Sequence, residues 1–256
     1  MGAAFAGGLL ESTFEPSDLA VAEIDADRRR ELEARCPDVR IVPSVSWAVA
    51  DADVVVVCLK PADVAAALEA AGSALGSEAL VLSIAAGVTI AALEAAAPGR
   101  PVVRAMPNTP ATIGLGAAAM AAGTQANDGH LDLAEELLGA LGLVVRLPEH
   151  LLDAVTGLSG SGPAYVFLVA EALVEAGVLV GLPRAIASKL VNQTLLGAST
   201  LLSQGEQSPE SLRAAVTSPG GTTAAGLRSL EAAGVRSAFI DAVVAATRRS
   251  TELGSG

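Results

Sequence analysis

The spacing of apolar residues changes once along the chain, at Pro148, and this change limits the possible folds more than any other feature. Before Pro148, short apolar runs such as residues 54–59 (VVVVCL) alternate with Ala-rich stretches of helical spacing. Continuously apolar strands that alternate with helices are typical of a parallel sheet with both faces covered. The sequence therefore predicts a doubly wound, Rossmann-like α/β domain over residues 1–150, the architecture that binds dinucleotides.

The predicted elements of this half follow the same alternation. Strands are predicted at residues 19–24, 54–59, 80–84, 102–105, 117–121 and 144–147, and helices between them at residues 28–35, 63–74, 89–97 and 132–141. Open parallel sheets bind ligands beyond the carboxyl ends of their strands. Residues that directly follow these strands are therefore the first candidates for a site.

The beginning of the chain departs from this architecture. A dinucleotide-binding fold opens with a strand that runs into G-x-G-x-x-G, whereas this chain opens at Met1-Gly2 directly in a stretch of helical spacing, residues 3–10. Gly2 matches the third glycine, which allows close packing of helix and strand. We therefore expect a domain that lacks its first strand, in a chain whose start has been placed too far downstream.

After Pro148 only helical spacing follows. Helices are predicted at residues 151–156, 163–180, 183–204, 209–216, 222–233 and 235–252. Three of them start at a proline, the residue that suits the first helical position. Long apolar helices with few charged faces predict burial against a second copy, so residues 151–256 are expected to form an all-α dimerisation domain.

Composition excludes several classes of partner. The net charge of −12 and the aromatic content of 2% argue against nucleic acid and against an anionic membrane surface as partners. The longest uncharged run, residues 105–127, contains prolines and glycines, so we expect no membrane span there. Cys36 and Cys58 form no CxxC pattern and no secretory leader opens the chain, which predicts a cytoplasmic protein without a metal.

A glycine-rich helix start stands out in the second half, where residues 216–224 read VTSPGGTTA. Pro219 fixes its own φ, and the two glycines after it permit tight backbone geometry before two threonines open a helix. A helix N-terminus carries unpaired N–H groups and partial positive charge, so it can bind a carboxylate or a phosphate. The alternative is an ordinary Pro-Gly turn between helices with a threonine cap.

A second start of this kind lies at residues 157–165, which read GLSGSGPAY. Small residues again precede a helix that begins at a proline. A single glycine-rich helix start is explained by the need to separate two helices. Two of them with serines and threonines, in a half built otherwise of plain helices, indicate a shared small anionic ligand.

Polar residues follow two of the predicted strands in the first half. Lys60 and Pro61 end the valine-rich strand, and residues 104–110 (RAMPNTP) follow another. Both segments lie where a doubly wound sheet binds its ligand. Lys60 is equally well explained as a solvated charge at a strand end. Asn108 and Thr109, held between two prolines, suit either a rigid turn or contacts to a ribose or a nicotinamide amide.

Together these motifs resemble the pyrroline-5-carboxylate reductase family, and the resemblance covers the whole chain after the absent first strand. Within residues 212–231, the run RAAVTSPGGTTAAGLRSL is similar to the C-terminal fingerprint of that family. SGSGPAY, the KP after the valine-rich strand and MPNTP match the family as well. This resemblance, and not the periodicity, identifies a substrate.

The resemblance implies reduction of the cyclic imine 1-pyrroline-5-carboxylate to L-proline, the last step of proline synthesis, with a hydride from NADPH, NADH being possible. Thr223 is implied as the catalytic residue, whose hydroxyl bonds the ring nitrogen. The residues implied to hold the substrate are Ser218, Gly220, Gly221, Thr222 and Thr223. The residues implied to bind the cofactor are Gly2, Arg28, Lys60, Pro61, Met106, Asn108 and Thr109, with Arg28 near the 2′-phosphate.

The resemblance also assigns substrate binding and dimerisation to residues 151–256. It implies a homodimer whose subunits interlock through the helical domains, with possible further assembly into a ring. It implies a small-molecule substrate and no nucleic acid or membrane as partner.

The residue inventory suits imine reduction. An imine nitrogen is protonated more readily than a ketone oxygen, so a hydroxyl and oriented N–H groups are enough to position the substrate. No His or Lys lies near the fingerprint, and Glu171 fits a buried or interfacial hydrogen-bond partner better than a catalyst. Two other hypotheses stay open: an imine reductase for another cyclic amine, and a non-catalytic oligomeric relative that lacks its cofactor site.

Overall fold

The computed structural model describes residues 2–12 and 14–254 and divides them into two compact units. The first unit contains the residues up to 161 together with those from 245 onwards, and the second contains residues 162–244. The first unit carries every strand of the described chain, and the second is entirely helical. A strand-containing half followed by a helical half was predicted from the change of period at Pro148.

The first unit alternates strands and helices. Its strands are β1 (Ala20–Ala22), β2 (Arg40–Val42), β3 (Val54–Val57), β4 (Leu80–Ser83), β5 (Val102–Met106), β6 (Gly116–Ala122) and β7 (Gly142–Arg146). Its helices are α1 (Gly2–Leu10), α2 (Ala26–Arg35), α3 (Val45–Val49), α4 (Pro61–Ala71), α5 (Ile90–Ala96), α6 (Asp128–Gly139) and α7 (Leu152–Val155). The predicted strands and helices are all present, with ends that differ by a few residues. Strand β2 and helix α3 were not predicted.

The strands form two sheets. β1 and β2 pair in parallel, with Val21 opposite Ile41, and β3 to β7 form a five-stranded sheet in chain order. Within the described residues, β1 has β2 as its one neighbour, and β3 has β4 as its one neighbour. Each of these two strands therefore has one edge without a partner among the described residues. The two sheets therefore share no strand, as expected for a doubly wound domain without its first strand.

The expectation of an all-parallel sheet is wrong at β6. This strand pairs antiparallel with β5, with Ala105 opposite Met120, and β7 then pairs in parallel with β6. A parallel connection needs a crossover of a dozen or more residues. Only residues 107–115 separate β5 from β6, and they form a short 3-10 turn, Thr109–Ile113. The chain can therefore only turn back on itself.

Alternate residues of the central strands face two separate cores. Leu82, Val103 and Met120 pack on the side of α1 and α6, whereas Val81 and Val102 pack on the side of α4 and α5. All five side chains are fully buried. Because successive residues of a strand point to opposite faces, an apolar run such as that of β4 serves both cores. The sheet is thus doubly wound.

The second unit consists of helices. They are α8 (Gly162–Leu179), α9 (Arg184–Ser203), α10 (Pro209–Ala215), α11 (Thr222–Ala232) and the first part of α12 (Val235–Gly254). The last turns of α12, from Ala245 onwards, belong to the first unit. Each helix was predicted to within two residues at both ends.

The apolar residues of the second unit are largely exposed in the single chain. Helix α8 has no buried residue, and Phe167 and Leu168 are more than three-fifths exposed. Among the described residues of this unit, Ala187 alone is an apolar residue that is buried. The helical stretch of residues 149–179 is apolar and long enough to cross a membrane. The same length and composition are expected of a helix that is buried against other protein.

Candidate functional site

Lys60 and Pro61 form the start of helix α4, directly beyond the carboxyl end of β3. Lys60 is the N-cap in an extended conformation, and Pro61 occupies the first helical position. Proline suits that position because its missing N–H is one that no helical carbonyl could accept. Both residues are exposed, so this helix start is open to a ligand.

Gly2 lies against the residue that follows β3. A Cβ placed on Gly2 would come within 3.1 Å of the Cβ of Cys58. Helix α1 therefore approaches the strand end more closely than a side chain would comfortably allow, which is the packing role predicted for this glycine. Burial raises the pKa of the Cys58 thiol to about 11, so the thiol is neutral at physiological pH.

Arg28 lies in the first turn of α2, shortly after β1. Asp25 caps this helix by accepting hydrogen bonds from the N–H groups of Asp27 and Arg28, at 3.0 and 2.9 Å. The bond from Arg28 and that from Asp27 lower the pKa of the Asp25 carboxyl. The Arg28 side chain is exposed, and in the part of the chain that the structure describes it forms no salt bridge. Its guanidinium is available for an anion.

Asn108 follows β5 and binds two other segments through its side chain. Its Nδ2 donates to the backbone carbonyl of Ser159 at 3.0 Å, and its Oδ1 accepts from the N–H of Ala117 at 2.9 Å. Ala117 belongs to β6, and Ser159 to a π-helical turn, Thr156–Gly160. The amide therefore joins the loop after β5 to both segments.

Met106 ends β5, and Thr109 lies in the loop that follows it. A Cβ on Gly160 would come within 2.9 Å of the Met106 methyl group, so the end of β5 and the π turn are also in contact. Thr109 is exposed, and its carbonyl accepts a hydrogen bond from the Thr112 hydroxyl at 3.0 Å. The structure thus brings Met106, Asn108 and Thr109 together at one strand end.

An ion pair between the buried Arg104 and the half-buried Glu149, which the sequence analysis did not predict, anchors the segment that follows β7. Arg104 of β5 donates to Glu149 Oε1 at 2.9 Å, and the same oxygen accepts from the N–H of Ile90 at 2.7 Å. The Arg104 side chain is 8% exposed and that of Glu149 34%. Arginine within an apolar strand was the available signal, because a buried guanidinium requires a partner.

The end of helix α12 is tied to α7. Asp153 accepts hydrogen bonds from the hydroxyl of Ser250 at 2.7 Å and from that of Thr251 at 3.0 Å. Ser250 is buried. No sequence signal connects residues this far apart in the chain.

The fingerprint of the second unit forms a tight turn before α11. The N–H of Gly221 donates to the carbonyl of Ser218 at 3.0 Å, and Gly220 adopts a φ of +69°, which favours glycine. A Cβ on Gly221 would collide with the Ser218 hydroxyl. The backbone geometry therefore favours glycine at residue 220, and a side chain at residue 221 would require the Ser218 hydroxyl to move.

Helix α11 begins without a side-chain cap. Gly221 is its N-cap, and no side chain accepts from the first N–H groups. Thr222 and Thr223 are exposed, and neither hydroxyl has a hydrogen-bond partner among residues 2–12 and 14–254. Thr217, by contrast, donates to the carbonyl of Arg213 at 2.6 Å. The threonine N-cap that the alternative interpretation predicted is therefore not formed. Among the described residues, no side chain caps the first N–H groups of α11, and none bonds the hydroxyls of Thr222 and Thr223.

The structure sorts the predicted site residues by unit. Those predicted to bind the cofactor lie in the first unit and those predicted to hold the substrate in the second. Among the residues described, no cluster of three or more His, Cys, Asp or Glu side chains could hold a metal.

Family models match both parts of the chain. Residues 149–253 match a model described as pyrroline-5-carboxylate reductase dimerisation, and residues 1–87 match one described as NADP oxidoreductase, coenzyme F420-dependent. The dimerisation match begins directly after the change of period at Pro148, and the oxidoreductase match ends at residue 87, within the strand-containing half.

Curated and solved proteins agree with this match. A pyrroline-5-carboxylate reductase of Synechocystis is 46% identical over 96% of this chain and 91% of its own length. The structure of the enzyme from Coxiella burnetii has a TM-score of 0.91 at 34% identity, over 98% of this chain and 94% of that one. That of Plasmodium falciparum pyrroline carboxylate reductase, solved with NADP bound, has a TM-score of 0.87 at 29% identity and covers 99% and 94%.

Proposed function

The chain belongs to the pyrroline-5-carboxylate reductase family, and we propose that it reduces 1-pyrroline-5-carboxylate to L-proline, the last step of proline synthesis. The observation that carries this proposal is the open start of α11. Uncapped N–H groups and two unpartnered threonine hydroxyls lie together there. A chain with a net charge of −12 needs such a local site to attract an anionic substrate.

The substrate carboxylate binds at the start of α11 in this proposal. The backbone N–H groups of Thr222 and Thr223 lie in the first turn of the helix, where the helix dipole favours a negative charge. The residues that hold the substrate are Ser218, Gly220, Gly221, Thr222 and Thr223. Gly220 and Gly221 shape the turn so that no Cβ lies over the N–H groups.

Thr223 positions the ring nitrogen. Its hydroxyl forms a hydrogen bond with that nitrogen while the carbon of the C=N bond accepts a hydride. The iminium form of the substrate already carries the N–H proton that proline keeps, so transfer of a hydride from NADPH to the carbon completes the reduction, leaves NADP⁺ and requires no strong acid from the protein. Alignment by a hydroxyl and fixed N–H dipoles is the main contribution expected of this side of the site.

The first unit binds NADPH, which supplies the hydride. The close approach of α1 to Cys58 at Gly2 fits a cofactor that lies at a helix N-terminus next to a strand end. Lys60, Pro61, Met106, Thr109 and the backbone of Asn108 line the site, and Arg28 takes the 2′-phosphate through its unpaired guanidinium. NADH is expected to bind more weakly because it lacks that phosphate.

Residues 1–150 are thus proposed as the dinucleotide-binding domain and residues 151–256 as the substrate-binding and dimerisation domain. The exposed apolar residues of α8 and α9 favour a homodimer that buries them, and dimers assemble further into a ring. The enzyme is proposed to work in the cytoplasm, without nucleic acid or a membrane as partner.

The test is consumption of NADPH by the purified protein in the presence of 1-pyrroline-5-carboxylate, with L-proline measured as product. Arg28→Met should raise the KM for NADPH about tenfold and leave that for NADH unchanged, since a guanidinium–phosphate contact contributes roughly 1.5–3 kcal/mol. Turnover of a cyclic imine without a carboxylate at an equal rate would indicate a different imine reductase. Failure to bind NADPH would indicate a non-catalytic protein.

A further inference from the structure

We infer that Asn108 is a positioning residue, whose side-chain amide fixes the π turn Thr156–Gly160 against the loop that follows β5. The inference rests on the proposed function, because it assigns Asn108 a role in the same reaction. It differs from the expectation that the Asn108 amide contacts a ribose or a nicotinamide.

Both polar atoms of the Asn108 amide already have protein partners. Ala117 offers an N–H and Ser159 offers a carbonyl, so the amide can satisfy both only with Oδ1 towards Ala117 and Nδ2 towards Ser159. The partners thus fix the orientation of the group. An amide engaged at both ends joins protein segments and is poorly placed to serve as the principal contact of a ligand.

The turn that Asn108 holds has a widened helical geometry. The N–H of Ser161 donates to the carbonyl of Thr156 at 2.8 Å, a bond across five residues. Such π turns occur frequently at functional sites. Met106, the last residue of β5, contacts the same turn at Gly160, where an added Cβ would come within 2.9 Å of its methyl group. Met106 and Asn108 therefore contact two successive residues of the turn, Gly160 and Ser159.

The other end of this segment is fastened independently. The Arg104–Glu149 ion pair anchors residue 149 to β5, and Asp153 is tied to Ser250. Because these contacts do not involve Asn108, loss of its amide should release the turn alone. A variant at Asn108 is therefore expected to fold.

The position of the turn matters because it leads directly into GSGPAY, the glycine-rich start of α8, while the loop it touches carries the residues proposed to line the cofactor. Hydride transfer depends steeply on alignment, and a displacement of about 1 Å can reduce the rate about 100-fold. We expect loss of the Asn108–Ser159 bond to lower kcat about 10- to 100-fold and to change the Kd of NADPH by less than about threefold.

Asn108→Asp separates the two bonds of the amide. The carboxylate still accepts from Ala117 but cannot donate to the carbonyl of Ser159. Asn127→Asp is the matched control, because Asn127 uses only its Oδ1, which accepts from the N–H of His130 at 3.1 Å to cap α6. The same substitution should therefore leave the control unchanged.

Three measurements test the inference. In the protein without ligand, amide hydrogen exchange of residues 156–161 should accelerate in Asn108→Asp and not in Asn127→Asp. NADPH binding, followed by fluorescence, should be retained. The deuterium isotope effect on kcat with NADPH deuterated at C4 should increase, because misalignment makes hydride transfer limiting. If Asn108→Asp does not fold, Asn108→Ser, whose side chain is too short to reach the carbonyl of Ser159, should reproduce all three results.

Two outcomes would overturn the inference. Unchanged exchange and unchanged kcat in Asn108→Asp would show that the bond to Ser159 has no influence on the site. A weakened NADPH Kd with an unchanged kcat at saturation would show that the amide contacts the cofactor itself. If the wild-type protein has no turnover, the proposed function fails instead, and the hydrogen-exchange comparison still decides whether Asn108 holds the turn.

Discussion

The helix starts of α8 and α11 are built from the same residue types, small residues and a proline, but their polar groups have different surroundings. Before α8, the carbonyl of Ser159 accepts from Asn108, and the hydroxyl of Thr156 donates to the carbonyl of Leu152 at 2.9 Å. Before α11, Thr222 and Thr223 have hydroxyls without partners among the described residues. The polar groups before α8 thus bond other parts of the protein, whereas those at the start of α11 are available to a ligand.

The difference arises from what precedes each helix. The start of α8 continues a segment whose Leu152 is fully buried against β6 residues such as Ala119, so its polar groups meet the loop after β5. The start of α11 follows an exposed turn after α10, and no side chain among the described residues caps its N–H groups. A glycine-rich sequence therefore identifies a tight turn, and the packing decides whether that turn binds a ligand.

The largest effect is expected from removing a free hydroxyl of the open start. Thr223→Val keeps the shape of the side chain but removes its hydrogen bond to the ring nitrogen. Loss of one oriented hydrogen-bonding group at a reacting centre lowers the rate about 10²- to 10³-fold. Steady-state kcat/KM with 1-pyrroline-5-carboxylate measures this loss.

The control is Thr217→Val in the same segment, whose hydroxyl already donates to Arg213. It should keep kcat/KM within about twofold, because that hydroxyl contributes only a local bond worth roughly 1 kcal/mol of stability. Equal losses in the two variants would mean that the threonines act through the fold.

The next effect concerns the turn geometry of the open start. Gly221→Ala places a methyl group onto the Ser218 hydroxyl, and relief of such overpacking costs about 1–3 kcal/mol. We expect the KM for the substrate to rise about 5- to 100-fold. Gly139→Ala, at a helical glycine with open space around it, should leave the KM unchanged. Normal kinetics in Gly221→Ala would show that the turn can relax without disturbing the N–H groups.

A stability measurement tests how firmly the α8 start is held. Glu149→Gln leaves the buried Arg104 without its counter-charge and should reduce the free energy of unfolding by about 3 kcal/mol in urea, the lower end for a broken buried pair. Arg146→Met removes exposed pairs with Asp132 and Glu135 and should cost less than about 1 kcal/mol. Similar losses would mean that burial does not distinguish the two pairs.

The smallest effect is expected at the end of α12. Ser250→Ala removes a buried hydroxyl that donates to Asp153 and should lower the free energy of unfolding by about 1 kcal/mol. The exposed hydroxyl of Ser203 bonds only its own helix, so Ser203→Ala should change stability by less than about 0.5 kcal/mol. A measured loss at Ser203 as large as that at Ser250 would contradict the distinction.

Local patterns in the sequence predicted most elements because each has a strong signal of its own. The valine run of β3 appears as expected, and α4 starts at Pro61, two residues before its predicted start. Strand β2 was missed because its three residues, Arg40–Val42, are too few to show a period. The antiparallel pairing of β6 follows from the short loop of residues 107–115. The pattern of apolar residues gives no information about the direction in which a strand pairs.

The candidate site was predicted unevenly for a related reason. The turn at Gly220 and Gly221 depends on neighbouring residues, so its sequence indicates its geometry. Ser159 lies 51 residues from Asn108 and Glu149 lies 45 residues from Arg104, so only the fold brings these partners together. The sequence therefore predicted that Asn108 is held stiffly, but not which groups it binds.

The return of α12 to the first unit has a consequence for biosynthesis. Asp153 receives its hydrogen bonds from residues 97 and 98 positions further along the chain. A ribosome must therefore extend the nascent polypeptide through the whole helical segment of residues 162–244 before these contacts can form. The sheet can assemble as it emerges, but the docking of the end of α12 onto α7 must wait until α12 is complete. Contacts between residues far apart in the sequence form slowly, because a long loop must be closed first.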